Sequence, residues 1–165
     1  MNAVLVRTLS LVAAIWLAVG WHGSAFDSAH AGEPMGGHEE VLFDTGQARI
    51  LGRGGQVHDF FVELAQTPAQ QRRGLMFRDA LEPGHGMLFD FNPPRRITMW
   101  MKNTPLSLDM LFFDPHGRLI LIAEHTEPFS QELISAPEAV RYVLEVSAGT
   151  AANLGLELGD LLRLP

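Results

Sequence analysis

The side chains of this sequence that could do chemistry together are a few cations, carboxylates and polar groups from separate segments. They are Arg72, Arg73, Trp100, Lys102, Asn103, Asp109 and Glu145. Cationic groups beside an amide and an aromatic ring can hold an anion, and an ammonium beside a carboxylate can act as an acid–base pair. The set therefore predicts either a site for an anionic ligand or an acid–base site.

Lys102 is the centre of this set because it is the only lysine in the chain and lies between two apolar runs. Residues 97–102 and 108–113 flank a turn, and this pattern predicts a hairpin. One register puts Asp109 beside Lys102, and a register shifted by one residue puts Asp109 on the opposite face. The structural alternative is a lysine that extends its charge to water, or one that pairs with Asp109.

The other candidates also have structural interpretations. Arg72 and Arg73 lie near the predicted end of a helix, where the dipole favours cations. Trp100 fits a core position, and Asn103 is typical of a turn. Asp109 lies in an otherwise apolar strand and needs a partner there, because burying a lone carboxylate is very costly.

Recognisable catalytic and cofactor motifs are absent from the sequence. It contains no P-loop, dinucleotide fingerprint, zinc-protease motif or EF-hand, and no arrangement typical of a nucleophile with its base. It also has no cysteine, which excludes disulfides, thiolate zinc sites and a thiol nucleophile. We therefore assign no catalytic residue and expect no metal and no cofactor.

The composition is that of a globular protein, with 47% hydrophobic and 19% charged residues. The formal net charge of -7 argues against nucleic acid as a partner, because phosphate backbones attract basic surfaces. The partner classes that remain are a small molecule and a protein of the cell envelope. The sequence does not determine an oligomeric state.

Residues 1–31 have the features of a secretory signal: Arg7, an apolar run over 9–19, and Ala29-His30-Ala31 as the cleavage site. The alternative is an uncleaved N-terminal anchor. Residues 32–40 are rich in glycine and charge and predict a flexible tether. We therefore expect a single domain over 41–165, exported to the periplasm or the extracellular space, with no membrane span after cleavage.

The remaining residues predict short strands and two short helices. Thr67-Pro68 predicts a helix start and Gly74 its end, and a second helix is expected over 148–153. Strands are expected at 41–45, 48–51, 58–65, 87–91, 95–102, 108–113, 118–123, 140–146 and 161–164. Short strands without alternating helices predict a mainly β (α+β) fold, a small rolled antiparallel sheet or barrel with one or two short helices.

Seven short motifs in order resemble the bacterial and archaeal family called Domain of Unknown Function 192. They are Glu63-Leu64-Ala65, Arg72–Arg78, Gly86–Phe91, Trp100–Thr104, Leu108-Asp109, Val143–Glu145 with Gly149, and Gly155 with Gly159-Asp160. The resemblance covers nearly all of residues 41–165. It implies a small β-rich fold, often with an export signal, and it implies no activity and no catalytic residues.

The sequence does not identify a biochemical activity. It favours a non-catalytic exported domain that binds a small anionic ligand or a partner protein near Lys102. One alternative is a hydrolase or lyase that uses Lys102 with Asp109 or Glu145 as an acid–base pair, and another is a structural envelope protein without a ligand. Both site hypotheses fail if Lys102 is fully exposed and Asp109 is bound to backbone amides inside the fold.

Overall fold

A computed structural model describes residues 41–165 as one seven-stranded sheet, curled into a half-barrel, with two short helices. The elements in chain order are β1 (Asp44–Leu51), β2 (Val57–Ala65), α1 (Pro68–Arg73), β3 (His85–Met99), β4 (Leu108–Phe113), β5 (Leu119–Ala123), β6 (Ile134–Ser147), α2 (Thr150–Leu154) and β7 (Leu161–Arg163). The predicted mainly β fold is confirmed. The predicted signal over 1–31 and tether over 32–40 lie outside the described residues.

The strands follow the order β5-β4-β6-β3-β2-β1-β7 across the sheet. Neighbours are antiparallel except β2 and β3, which run parallel and are connected through α1. At one end the two edges meet, because Arg118 bridges Leu161 and the Leu119 amide donates to the Asp160 carbonyl at 2.8 Å. This contact curls the sheet and covers part of its open edges.

The hairpin predicted between residues 97–102 and 108–113 is wrong. Strand β6 lies between β3 and β4 in the sheet and pairs with both of them. At Glu145, β6 faces Met87 on one side and Met110 on the other. Two apolar runs around a turn can pair with each other. Here the 14-residue strand β6, which lies far along the chain, forms backbone hydrogen bonds with both β3 and β4 instead. Residues 100–107 are therefore a crossing loop.

Other boundaries differ less. The strands predicted at 41–45 and 48–51 form the single strand β1, and those at 87–91 and 95–102 form most of the single strand β3. The register of β3 shifts between Asp90 and Arg95, and such irregularities let a strand continue past prolines. Strand β6 begins at Ile134, before the start of the strand predicted at 140–146.

Both faces of the sheet bury apolar side chains. Face A contains Leu111, Leu144 and Val146 and packs against Ala151 of α2. Face B is the opposite face and contains Met87, Phe89, Met110, Phe112 and Val143, with Leu75 packed on it. Each fully buried side chain of this size stabilises the fold by about 1.5–3 kcal/mol. The alternation along β6 places Glu145 on face B.

Helix α1 is short, and its ends are fixed by local contacts. The Thr67 hydroxyl accepts from the Gln70 amide at 3.2 Å, and the Gln70 side chain accepts from the Thr67 amide at 2.9 Å, which is a capping box. Gly74 ends the helix with a φ of 47°, and a Cβ there would lie 3.2 Å from Cζ of Phe89. The predicted helix is confirmed, and glycine at its end lets the chain approach face B closely.

Candidate functional site

A pocket of about 700 Å³ opens on face B between the end of α1, the second half of β3 and the loop that follows β3. Six of the seven predicted site residues line it: Arg72, Arg73, Trp100, Lys102, Asn103 and Glu145. The seventh, Asp109, does not. The sequence-based candidates from three separate segments therefore meet in one place, although the predicted hairpin does not form.

The pocket combines apolar walls with five cations. Its walls include Leu75, Phe89, Phe91, Ile97 and Met99, and its cations are Arg72, Arg73, Arg95, Arg96 and Lys102. Among residues 41–165, none of these five cations makes an ion pair, whereas Arg49, Arg78 and Arg141 are each paired with an acid. The positive charge of the pocket is therefore not neutralised by the part of the chain that the structure describes.

Three of these cations rest on aromatic rings. The distances from the cationic group to the ring centre are 4.8 Å for Arg73 and Phe77, 5.1 Å for Arg95 and Phe91, and 5.2 Å for Lys102 and Trp100. Contacts of this kind contribute about 0.5–1 kcal/mol at exposed sites. They orient the charges but do not cancel them, so the cations stay available to an anion.

Glu145 forms part of the pocket floor and is only 4% exposed. Met87 and Met110 lie beside it on the neighbouring strands. Burial is what raises the pKa of Glu145, from 4.5 to about 8, because an apolar environment disfavours the charged form. The carboxyl is therefore mainly neutral at pH 7, and in that state it can both donate and accept a hydrogen bond.

Close packing of the backbone holds Glu145 in place. A Cβ at Gly86 would lie 2.5 Å from the Glu145 carbonyl oxygen, so only glycine lets β3 approach β6 this closely. On the other side, β4 pairs with β6 through Met110. Glu145 therefore projects from a strand that is paired on both edges, which fixes the position of its side chain at the base of the pocket.

The loop that carries Lys102 is bound on both sides by backbone hydrogen bonds. The Phe77 amide donates to the Asn103 carbonyl at 2.8 Å, and the Phe129 amide donates to the Thr104 carbonyl at 3.0 Å. Asn103 has a φ of 57°, a left-handed conformation that asparagine adopts more readily than most residues. Asn103 thus has the turn geometry that its sequence context predicts, and the exposed Lys102 beside it borders the pocket.

Asp109 lies on face A, where it is completely buried. Its two carboxylate oxygens accept the backbone amides of His125 and Ala151, both at 2.9 Å. The Ala151 amide belongs to the first turn of α2, whose N-cap residue Gly149 has no side chain to cap it. Asp109 is thus bound to backbone amides inside the fold, which is one of the two conditions under which both site hypotheses fail. The other condition, a fully exposed Lys102, is not met, because Lys102 is exposed but lines the pocket.

Arg95 and Arg96 line the pocket but are not among the residues predicted from the sequence. Their adjacent positions repeat the Arg72-Arg73 pair, and they directly follow two prolines, where a strand leaves its regular register. Two exposed cations in a strand are ordinarily solvated, so the sequence alone does not mark Arg95 and Arg96 as site residues. They become candidates only because the fold brings the two arginine pairs to one pocket.

A second cavity, of about 600 Å³, is lined by Phe61, Glu63, Arg78 and His85. Phe61 stacks on His85 with 5.6 Å between ring centres, and Arg78 pairs with Glu63 at 2.7 Å. Unlike the first pocket, this cavity holds a cation that is already neutralised.

Among residues 41–165, no three His, Cys, Asp or Glu side chains come together as metal ligands would. No helix in that part of the chain is long and apolar enough to cross a membrane.

Comparison with known proteins identifies relatives of known fold. The model of family DUF192 (Uncharacterized ACR) matches residues 49–164. The chain is similar to a crystal structure from Sinorhizobium meliloti 1021, described as a "putative transcription regulator", with 46% identity over 76% of this chain and 97% of that one and a TM-score of 0.74. It is also similar to a protein of unknown function from Novosphingobium aromaticivorans DSM 12444, with 35% identity over 88% and 99% of the two chains and a TM-score of 0.71. No curated protein matches the chain.

Proposed function

This chain belongs to the DUF192 family of uncharacterised proteins, and we propose that it is an exported binding module whose pocket on face B holds a small organic anion. The observation that carries the proposal is the combination of five cations without ion-pair partners among the described residues and one buried acid in the floor. The cations give the pocket a positive potential in a chain of net charge -7. The apolar walls favour a ligand with a hydrophobic body.

The two polar parts of the pocket select different groups of the ligand. Guanidinium and ammonium groups bind carboxylates and phosphates through charge-assisted hydrogen bonds. A neutral Glu145 donates to a carbonyl oxygen or accepts from a hydroxyl or amide. An ionised Glu145 would repel an anion, so the neutral state supports this arrangement. The expected ligand therefore carries an anionic group toward the cations and an apolar or neutral polar part toward the floor.

Thermal shift and calorimetry with matched probes test this proposal. The pairs are hexanoate with hexanamide, salicylate with salicylamide, and phenyl phosphate with phenol. We expect at least one anion to raise the melting temperature in a concentration-dependent way, because a ligand that binds only the folded state stabilises it. Its neutral counterpart should have a much smaller effect.

Variants connect any binding to the pocket. Lys102→Gln should weaken binding of the active anion, whereas Arg118→Gln should not, because Arg118 is an exposed cation that does not line this pocket. An anion that stabilises the wild type and Lys102→Gln equally removes Lys102 from the site. If none of the three anions stabilises the protein, the alternative of a structural envelope protein without a ligand is favoured instead.

Export is part of the proposal and is supported by the sequence of residues 1–31. Cell fractionation and mass spectrometry of the mature N-terminus test it. A chain that begins after Ala31 in an extracytoplasmic fraction supports the proposal. A full-length chain in the membrane fraction favours the uncleaved anchor, and a full-length chain in the cytoplasm contradicts export.

A hydrolase or lyase is the second candidate, and the raised pKa of Glu145 favours it. A carboxyl that keeps its proton near pH 7 can act as a general acid, and Lys102 lines the same pocket. The pairing of Lys102 with Asp109 finds no support, because Asp109 lies on face A. Glu145→Gln separates the two functions: it keeps hydrogen-bonding groups of similar shape but cannot transfer a proton. A binding module keeps its ligand in this variant. An enzyme would also keep its ligand but would lose turnover.

We do not extend the description of the Sinorhizobium relative to this chain. Regulation of transcription through DNA needs a basic surface for phosphates, and the net charge here is -7. The five cations line a concave pocket with apolar walls, which suits a small anion better than a duplex. A salt-dependent shift of duplex DNA in a gel, lost in the Arg95→Gln variant, would reverse this choice.

A further inference from the structure

Three exposed aromatic residues belong to the Lys102 loop or to segments that are hydrogen-bonded to it. The exposed fractions are 58% for Phe77, 44% for Trp100 and 61% for Phe129. The amides of Phe77 and Phe129 bind the Lys102 loop at successive carbonyls, and Trp100 begins this loop. Single exposed hydrophobic residues are ordinary on protein surfaces, but several together indicate an interaction surface.

Two of these rings are kept exposed in an unfavourable backbone conformation. Phe77 has a φ of 64° and Phe129 a φ of 60°, in the left-handed region that bulky residues rarely adopt. Glycine would make either turn without this strain. Because the rings contribute little burial in return, the fold itself does not explain why phenylalanine occupies both positions. Outliers of this kind are a reason to look for function.

Cations accompany the rings. Arg73 lies over Phe77 and Lys102 over Trp100, and neither cation makes an ion pair with a described acid. We call Phe77, Trp100, Phe129, Arg73 and Lys102 the aromatic rim. Aromatic rings beside Lys and Arg are typical of surfaces at the lipid headgroup level, where rings bury their apolar parts and cations meet anionic lipids.

We propose that the aromatic rim docks on an anionic phospholipid surface and brings the mouth of the face-B pocket against the headgroups. Charge complementarity favours lipid as the partner. Two of the five pocket cations belong to the rim and the other three line the pocket beside it, while the net charge of the whole chain is -7. Among the described acids, only Glu145 lines the pocket, so the charge at the pocket mouth is positive and an anionic surface attracts the rim. This docking does not require that the pocket hold a ligand.

Co-sedimentation with vesicles tests the proposal on the chain as isolated from cells. Vesicles of equimolar phosphatidylglycerol and phosphatidylcholine are compared with vesicles of phosphatidylcholine alone, at low and at high salt. We expect preferential, salt-sensitive binding to the anionic vesicles. The double variant Arg73→Gln/Lys102→Gln should bind about fivefold more weakly for each cation removed. Phe77→Ala/Phe129→Ala should bind at least about tenfold more weakly.

Two control variants come from the same chain. Phe61→Ala removes a ring of similar exposure, 57%, that lines the second cavity, and Arg118→Gln removes a cation away from both cavities. Both should bind vesicles as the wild type does. Since every variant carries the same N-terminal segment, differences in binding report on the substituted residues.

Phe129→Gly separates docking from folding. Glycine adopts the left-handed conformation freely, so the melting temperature should stay equal or rise while vesicle binding falls. A lower melting temperature would assign the ring to the fold and overturn the proposal. Equal binding to both vesicle types, or equal losses in Phe61→Ala, would also overturn it. So would a dimer in solution that Phe77→Ala/Phe129→Ala dissociates, because the rim would then join two copies.

Discussion

Asp109 and Glu145 are both buried carboxylates on neighbouring strands, but their surroundings are opposite. Asp109 pairs in register with Val146, the residue after Glu145, and adjacent positions of a strand point to opposite faces. On face A, Asp109 accepts two backbone amides. On face B, burial raises the pKa of Glu145 with no hydrogen bond to offset it. Burial alone therefore does not mark a functional acid, whereas burial without a partner at a pocket does.

The arginines show the same difference. Arg141 lies partly buried beside Asp90, with Nε 2.7 Å from Oδ1 and a second nitrogen 3.0 Å from Oδ2. Arg95 lies in the pocket over Phe91, without an acid partner among the described residues. One arginine completes the structure, and the other leaves its hydrogen-bonding capacity open to a ligand. Variants of each kind should therefore affect different measurements.

Asp109→Ala should have the largest effect on stability. It leaves the part-buried amide of His125 and the buried amide of Ala151 without acceptors, and an unsatisfied buried group costs about 1–3 kcal/mol. We therefore expect the free energy of unfolding, measured by urea denaturation, to fall by about 2–5 kcal/mol. Binding of the active anion should be unchanged once the lower stability is taken into account.

The matched control is Asp59→Ala, which removes an exposed carboxylate paired with Arg49. Solvent screens such pairs, so the free energy of unfolding should hardly change. If Asp109→Ala is equally neutral, or if it abolishes anion binding in a fully folded protein, the structural role assigned to Asp109 is wrong.

Glu145→Gln should change how stability depends on pH. The folded state binds the Glu145 proton more tightly than the unfolded state, with a pKa of about 8 against 4.5. The stability due to this proton is complete below pH 4.5 and is lost as the pH rises through the folded pKa of about 8. The variant lacks this loss, so its advantage over the wild type should grow to on the order of a few kcal/mol above that pKa.

Denaturation curves of both proteins across this pH range make the measurement. The difference between the two proteins isolates Glu145, because every other titrating group is common to them. Curves that stay parallel from acid to alkaline pH would mean that Glu145 ionises normally, and the neutral donor proposed for the pocket floor would be lost.

The parts of the fold that depend on local chemistry could be predicted from the sequence. Thr67 and Gly74 mark the ends of α1 because helix capping and a glycine turn with positive φ involve neighbouring residues. The pairing of β6 between β3 and β4 could not be predicted, because its partners lie far apart in the chain. A local pattern favours pairing between strands that are neighbours in the chain, here 97–102 with 108–113. In the structure residues 100–107 are a crossing loop, and these two strands do not pair with each other.

The site divides in the same way. Lys102 and Glu145 can be recognised as site candidates from the sequence. Lys102 is the only lysine in the chain, and Glu145 is an acid in an apolar strand. Arg95 and Arg96 are ordinary in sequence, and only the fold brings them to the pocket. The need of Asp109 for a partner follows from its strand, but the identity of the partners does not, since the two amides come from a distant loop and from α2.

The smallest effects on stability, and the sharpest contrast in function, come from the two arginines. Arg95→Gln should leave the free energy of unfolding nearly unchanged, because no acid among the described residues loses its partner, but it should weaken binding of the active anion about tenfold. Arg141→Gln should lower stability by about 1 kcal/mol, since Asp90 is left partly buried and unpaired, and anion affinity should stay the same. Denaturation gives the change in the free energy of unfolding for each variant, and calorimetry gives the change in anion affinity for each. If both arginines affect stability alone, the pocket cations are structural, and the distinction between paired and open charges does not identify a binding site.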